Sequence, residues 1–122
     1  MAPADAPHLV RGAQAESLAA DFLERRGLAI LARNFRTRRG EIDLVARDGD
    51  TLVFVEVRLR ARSDFGGAAG SVTARKQQRI VSAAQAYLSR LHREPPCRFD
   101  AVLLDRLDPD AIVWERDVIA ID

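Results

Sequence analysis

The 122-residue chain has a single cysteine, Cys97, which excludes an internal disulfide and any cysteine-built metal site. Its two histidines, His8 and His92, fall in an N-terminal tail and at an expected helix end, so neither suggests a metal centre. No apolar run approaches the roughly 18 residues that a membrane span needs. The opening Met-Ala-Pro-Ala-Asp-Ala-Pro-His lacks the basic and apolar regions of a signal peptide. A cytoplasmic protein without membrane contact is therefore expected. Helix-turn-helix and zinc-finger signatures and a ladder of stacking aromatics are also missing, which argues against sequence-specific base reading. Lysine is nearly absent too: of 19 basic residues, Lys76 alone is lysine.

What is present is the composition of one globular domain, 48% hydrophobic and 30% charged. The net charge of +1 hides an uneven distribution. Residues 1–99 carry 17 basic and 11 acidic side chains, whereas residues 100–122 carry 2 and 7. Arginine offers a fork that matches phosphate, although a genome rich in G and C produces the same bias.

The periodicity predicts the order αβββαββ without repeats or a second domain. Residues 1–11 read as a flexible tail and 12–122 as the folded domain. Gly12 to Arg26 has the apolar stripe Ala15, Leu18, Ala19, Phe22 and Leu23, closed by Gly27 at the C-terminal cap. Leu28 to Phe35 reads as a strand. Segments 41–47 and 52–60 read as a hairpin, and the glycine-rich stretch Ser63 to Ser71 as a loop. Thr73 caps a helix expected to run to about His92, with Ile80, Ala84, Tyr87, Leu88 and Leu91 on its core face. Cys97 to Leu104 and Ala111 to Glu115 supply two more strands. A hairpin followed by a helical crossover implies an α/β fold, with a mixed central sheet flanked by helices.

The hairpin carries the anomaly. Glu41-Ile-Asp43-Leu-Val-Ala and Leu52-Val-Phe-Val-Glu56-Val-Arg58 place acids within otherwise apolar strands. With Gly49-Asp50 as a type II′ turn, facing residues have numbers that sum to 99. Val45 then meets Phe54, Asp43 meets Glu56 and Glu41 meets Arg58 on one face. Ile42, Leu44 and Ala46 line the other face with Val57, Val55 and Val53. Facing Cβ atoms lie roughly 4.5–5.5 Å apart and like charges so placed repel. Two buried acids therefore call for a cation, and oxygen ligands of this kind suit Mg²⁺ or Mn²⁺. Acids lying at a solvated sheet edge and binding nothing are the bland alternative.

Gly40-Glu-Ile-Asp43 followed by Phe54-Val-Glu56-Val-Arg58 resembles the bipartite motif of PD-(D/E)xK nucleases. The wider chain resembles the YraN-like family of predicted endonucleases, related to archaeal Holliday junction resolvases. The matching stretches are Gly12-Ala-Gln-Ala-Glu16, Asn34-Phe35, Val72-Thr73, Lys76-Gln77 and Arg98-Phe99-Asp100. The resemblance implies a restriction-endonuclease-like core and a metal-dependent endonuclease acting on nucleic acid, with branched DNA suggested by analogy. It implies an acidic cluster of Glu16, Asp43 and Glu56 binding Mg²⁺ or Mn²⁺, with Arg58 at the usual lysine position.

Arginine there stabilises phosphate charge but stays protonated and cannot act as a base. Lys76 is either a substitute lysine or, the favoured reading, a phosphate contact or solvated helix residue. Glu41 is expected to bridge Arg58, and Asp100 to be structural. Arg36, Arg38, Arg39, Arg60, Arg62, Arg75 and Lys76 are the expected contacts to the nucleic-acid backbone. Cutting a junction needs two sites, hence a homodimer. Two other classes stand beside the enzyme: a nucleic-acid-binding or partner-binding module with an impaired site, and an adaptor that docks a basic partner on its acidic C-terminal segment.

Overall fold

The computed structural model describes residues 7–59 and 74–119, with side chains from residue 11 onward. Helix α1 (Pro7–Arg25) is followed by strands β1 (Ala29–Arg36), β2 (Glu41–Asp48) and β3 (Thr51–Leu59). Helix α2 (Ala74–Leu88) leads to β4 (Cys97–Leu104), a 3₁₀ turn (Pro109–Ala111) and β5 (Ile112–Glu115). The expected order αβββαββ is what the chain adopts. The five strands lie side by side in sequence order, antiparallel except for β3 against β4. That one parallel pair follows from α2, because a parallel connection needs a crossover. No helix among the described residues is long and apolar enough to cross a membrane.

Helix α1 starts at Pro7, inside the segment expected to be a flexible tail. Proline suits a helix start because the first N–H groups lack helical partners. The helix ends as Gly27 predicts. Gly27 has φ 93°, its N–H donates to the Glu24 carbonyl, and the Leu28 N–H reaches back to Leu23 at 3.1 Å. Helix α2 is shorter than expected, ending at Leu88. The Ser89 hydroxyl there donates to the Ala86 carbonyl at 2.7 Å. Leu91, expected in the core, is consequently exposed.

Two apolar clusters sandwich the sheet. Ala15, Ala19, Ala20 and Leu23 of α1 cover Leu44, Ala46, Val53, Val55, Val102 and Leu104. Ile80, Ala83 and Ala84 of α2 cover Val45, Leu52, Phe54 and Phe99 on the opposite face. The hairpin register is the expected one from Asp48–Thr51 out to Leu44–Val55, around a turn at Gly49, φ 61°, but the expected pairs Asp43–Glu56 and Glu41–Arg58 are not part of the ladder.

A further expectation fails on the sheet. Ile42 packs with the α2 cluster, as Val45 does, and not with Leu44. Two residues three apart share a face only if the alternation of the strand breaks between them. Strand β1 breaks beside it: Ala32 and Phe35 both face α2, with Asn34 between them at φ 52°. Because Ala32 pairs with Val45 and Phe35 with Ile42, the two strands kink together. The kink falls at Asp43.

Candidate active site

Asp43 sits where β2 and β3 stop pairing; the ladder ends at Leu44–Val55. Beyond it the Asp43 Oδ2 accepts the Val57 N–H at 2.8 Å, standing in for the next ladder bond. The carboxylate is thus aimed between the strands. Glu56 follows Val55 on β3 and points to the α2 side, two residues from Phe54. Its side chain keeps only 17% of its exposure, and Arg58 Nη1 lies 3.9 Å from its Oε1.

Electrostatics bind these groups into one cluster. Burial first, and then the charge of Glu56, push the Asp43 pKa up to about 7, against the pull of the Val57 N–H. Glu16 and Glu41 add to the rise. Burial also raises Glu56, offset by the positive charges of Lys76 and Arg58 and reinforced by Glu41 and Glu16. Glu16, half-buried on α1, is therefore felt by both acids. Among the described residues, however, no three His, Cys, Asp or Glu side chains converge to enclose an ion. The near donors are the pair Asp43 and Glu56.

Glu41 departs from expectation. It bridges Arg36 of β1 (Oε2 to Nε, 3.4 Å) and not Arg58, because β2 has kinked away from β3 before reaching it. A cleft of about 400 Å³ opens over the α2 side of the cluster, lined by Glu41, Glu56, Arg75, Lys76, Arg79 and Ile80. One wall is held by Gly40. A side chain there would overlap the Arg79 carbonyl, with its Cβ 2.6 Å from the carbonyl carbon, so only glycine lets the β1–β2 turn press against the α2 backbone. The Thr37 hydroxyl accepts the N–H groups of Arg39 and Gly40, setting the turn. Exposed Arg36, Arg38 and Arg39 are carried on that turn and its flank, beside the Arg75 and Arg79 end of α2. Arg60 and Arg62, and the expected loop from Ser63 to Ser71, lie outside the described residues.

Asp100 is separate from this cluster. It is buried on β4 and accepts Arg98 Nε at 3.1 Å, Trp114 Nε1 at 3.0 Å and the Asp117 N–H at 2.9 Å. Arg98 in turn holds Asp48 at 3.0 Å. With its oxygens filled by protein donors, Asp100 ties β4 to β5 and the C-terminal segment, in line with the structural role expected of it.

Arg79, which the sequence groups with Arg75 and Lys76 in one basic cluster, lines the cleft, whereas sequence reasoning missed Gly40 as its support. The signal for Gly40 was available: a lone glycine at the mouth of a strand marks a close backbone approach. The bond from Asp43 to Val57 carried no sequence signal, since it depends on the kink.

Fold and cleft together define an α/β domain with paired carboxylates under a basic rim. Residues 15–104 match the model of the Uncharacterised protein family UPF0102. The chain belongs to that family, the one named YraN-like on its motifs. A UPF0102 protein of Dechloromonas aromatica is 61% identical over 112 residues, covering 92% of this chain and 90% of its own. One from Methylobacillus flagellatus is 50% identical over 109 residues, covering 89% and 96%. A third, from Nitrosospira multiformis, is 49% identical over 113 residues, covering 93% and 95%.

Proposed function

We propose that the protein is a metal-dependent endonuclease of restriction-endonuclease-like fold, hydrolysing phosphodiester bonds of nucleic acid. The observation that carries this reading is the Asp43–Glu56 pair. Each acid is driven toward protonation by burial, and the charge of Glu56 drives Asp43 further, with Glu56 lining a cleft that Arg75 and Arg79 also line. Such a pair is what a hard divalent cation relieves, and Mg²⁺ holds to proteins through one or two carboxylates plus water and phosphate. The donor set therefore fits Mg²⁺ or Mn²⁺, held by Asp43 and Glu56, with Glu16 acting through water. Such an ion, when bound, supplies phosphate neutralisation and the acidification of water.

The chain's own residues do the rest. Val57 fixes the Asp43 carboxylate through its N–H, and Arg58 orients Glu56. Arg36, Arg38, Arg39 and Arg75 neutralise the phosphates of the incoming strand. A basic rim without base-reading devices favours recognition of structure or shape, branched DNA among the candidates, and cutting both strands of a junction requires a homodimer.

The test is cleavage of flap, junction and single-stranded DNA with Mn²⁺ or Mg²⁺ by wild type and Glu56→Gln, with metal binding measured in parallel. Cleavage and metal binding in the wild type, both lost in the variant, is the expected result. DNA binding without cleavage in either protein would establish the rival reading, a binding module in which Arg58 permanently neutralises Glu56.

A further inference from the structure

We propose that Lys76 is a catalytic residue of this cleft: its ammonium, delivered by α2, stabilises the charge that develops on the reacting phosphate, while Arg58 serves to position Glu56. This rests on the nuclease reading above. It resolves the departure at position 58 by placing the working cation on another element.

Three observations converge on Lys76. It lines the same cleft as Glu56 and Glu41, half-buried in the first turn of α2. Its charge is felt at Glu56 more strongly than that of Arg58, and it in turn feels both Glu56 and Asp43. It is also the one lysine among 19 basic residues, in a chain that uses arginine at every other basic position. An arginine fork suits a phosphate met broadside on a surface, whereas an ammonium is a compact point charge on a flexible stem.

Arg58 is differently placed. Its guanidinium lies 3.9 Å from the acid two residues before it on the same strand face, as a counter-ion that keeps Glu56 in place. In hydrolysis water adds to phosphorus, the bond to the leaving oxygen breaks and the proton lost by water ends on that oxygen. Lys76 contributes charge to this step and no proton.

The experiment compares wild type, Lys76→Met, Lys76→Arg and Arg75→Gln in Mn²⁺-dependent cleavage. Removing one preorganised charge from a transition state costs roughly 10²–10³-fold in kcat. Lys76→Met is expected to lose that much in kcat with KM changed by less than about threefold, and Lys76→Arg to recover part of it. Arg75→Gln should raise KM and leave kcat. A readout independent of cleavage is Mn²⁺ affinity, which should tighten by about threefold or more when the neighbouring positive charge is removed.

Should Lys76→Met fail to fold, acetylation of the sole lysine in the folded wild type, located by peptide mass, removes the same charge. Wild-type cleavage undiminished by either modification would overturn the role of Lys76 alone. Absence of cleavage by the wild type would overturn the nuclease reading and this inference with it.

Discussion

The Asp43 carboxylate accepts the backbone N–H of Val57 at 2.8 Å, taking the place of a ladder bond between two strands that part at that point. One side chain therefore holds the strand ends together while its charge couples to Glu56, which lines the cleft. This dual role separates two substitutions. Asp43→Asn keeps an acceptor for Val57 and removes the repulsion with Glu56. Asp43→Ala leaves a part-buried N–H unpaired, at a cost of about 1–3 kcal/mol. Urea denaturation at pH 8 without divalent ions should find the Ala variant less stable than the Asn variant, and the Asn variant at least as stable as wild type. Neither should cleave nucleic acid.

Asp43 also sets a pH dependence. Its folded pKa, about 7, lies above the ordinary value of 3.8, so the folded state holds the proton more tightly than the unfolded one. The stability associated with that proton is full below pH 3.8 and is lost as pH rises through 7. Thermal denaturation without divalent ions should show a Tm decline between pH 5 and pH 8 that Asp43→Asn reduces. The group's contribution is on the order of 2–4 kcal/mol. Because a metal must displace the proton, Mn²⁺ affinity should climb over the same range. A flat affinity profile from pH 5.5 to 8 would remove Asp43 from the ligand set.

Gly40 makes a purely steric prediction. Adding a methyl group there forces the β1–β2 turn away from Arg79 and widens the cleft. Gly40→Ala should destabilise the domain by about 1–3 kcal/mol, as overpacking does, and impair DNA cleavage more than Mn²⁺ binding. Equal stability in urea would show that α2 does not press on the turn.

Asp100 and Trp114 predict a stability change without a functional one. Removing a buried acid that serves Arg98, Trp114 and the Asp117 N–H leaves Arg98 without that partner, and such losses cost about 3–5 kcal/mol. Asp100→Ala should shift the denaturation midpoint strongly and change the emission of Trp114, the chain's one tryptophan. At temperatures where the variant remains folded, Mn²⁺ affinity should match wild type. A loss of metal binding in the folded variant would move Asp100 into the site.

The sequence by itself determined the pieces governed by neighbours along the chain. Alternation and the glycine at the turn set Val45 against Phe54, and Gly27 ended the first helix, because a two-residue turn and a cap leave the backbone one arrangement. The same local logic exposed Asp43 and Glu56 as acids out of place in apolar strands. Tertiary structure decided what depends on residues far apart. The kink at Asp43 is shared with Asn34 on the neighbouring strand, and it turned Ile42 toward α2 and gave Glu41 to Arg36. Helix α2, anchored on Gly40, brought Lys76 to Glu56 from twenty residues away. No period in the chain encodes that meeting; it follows from how two cores close on opposite faces of one sheet.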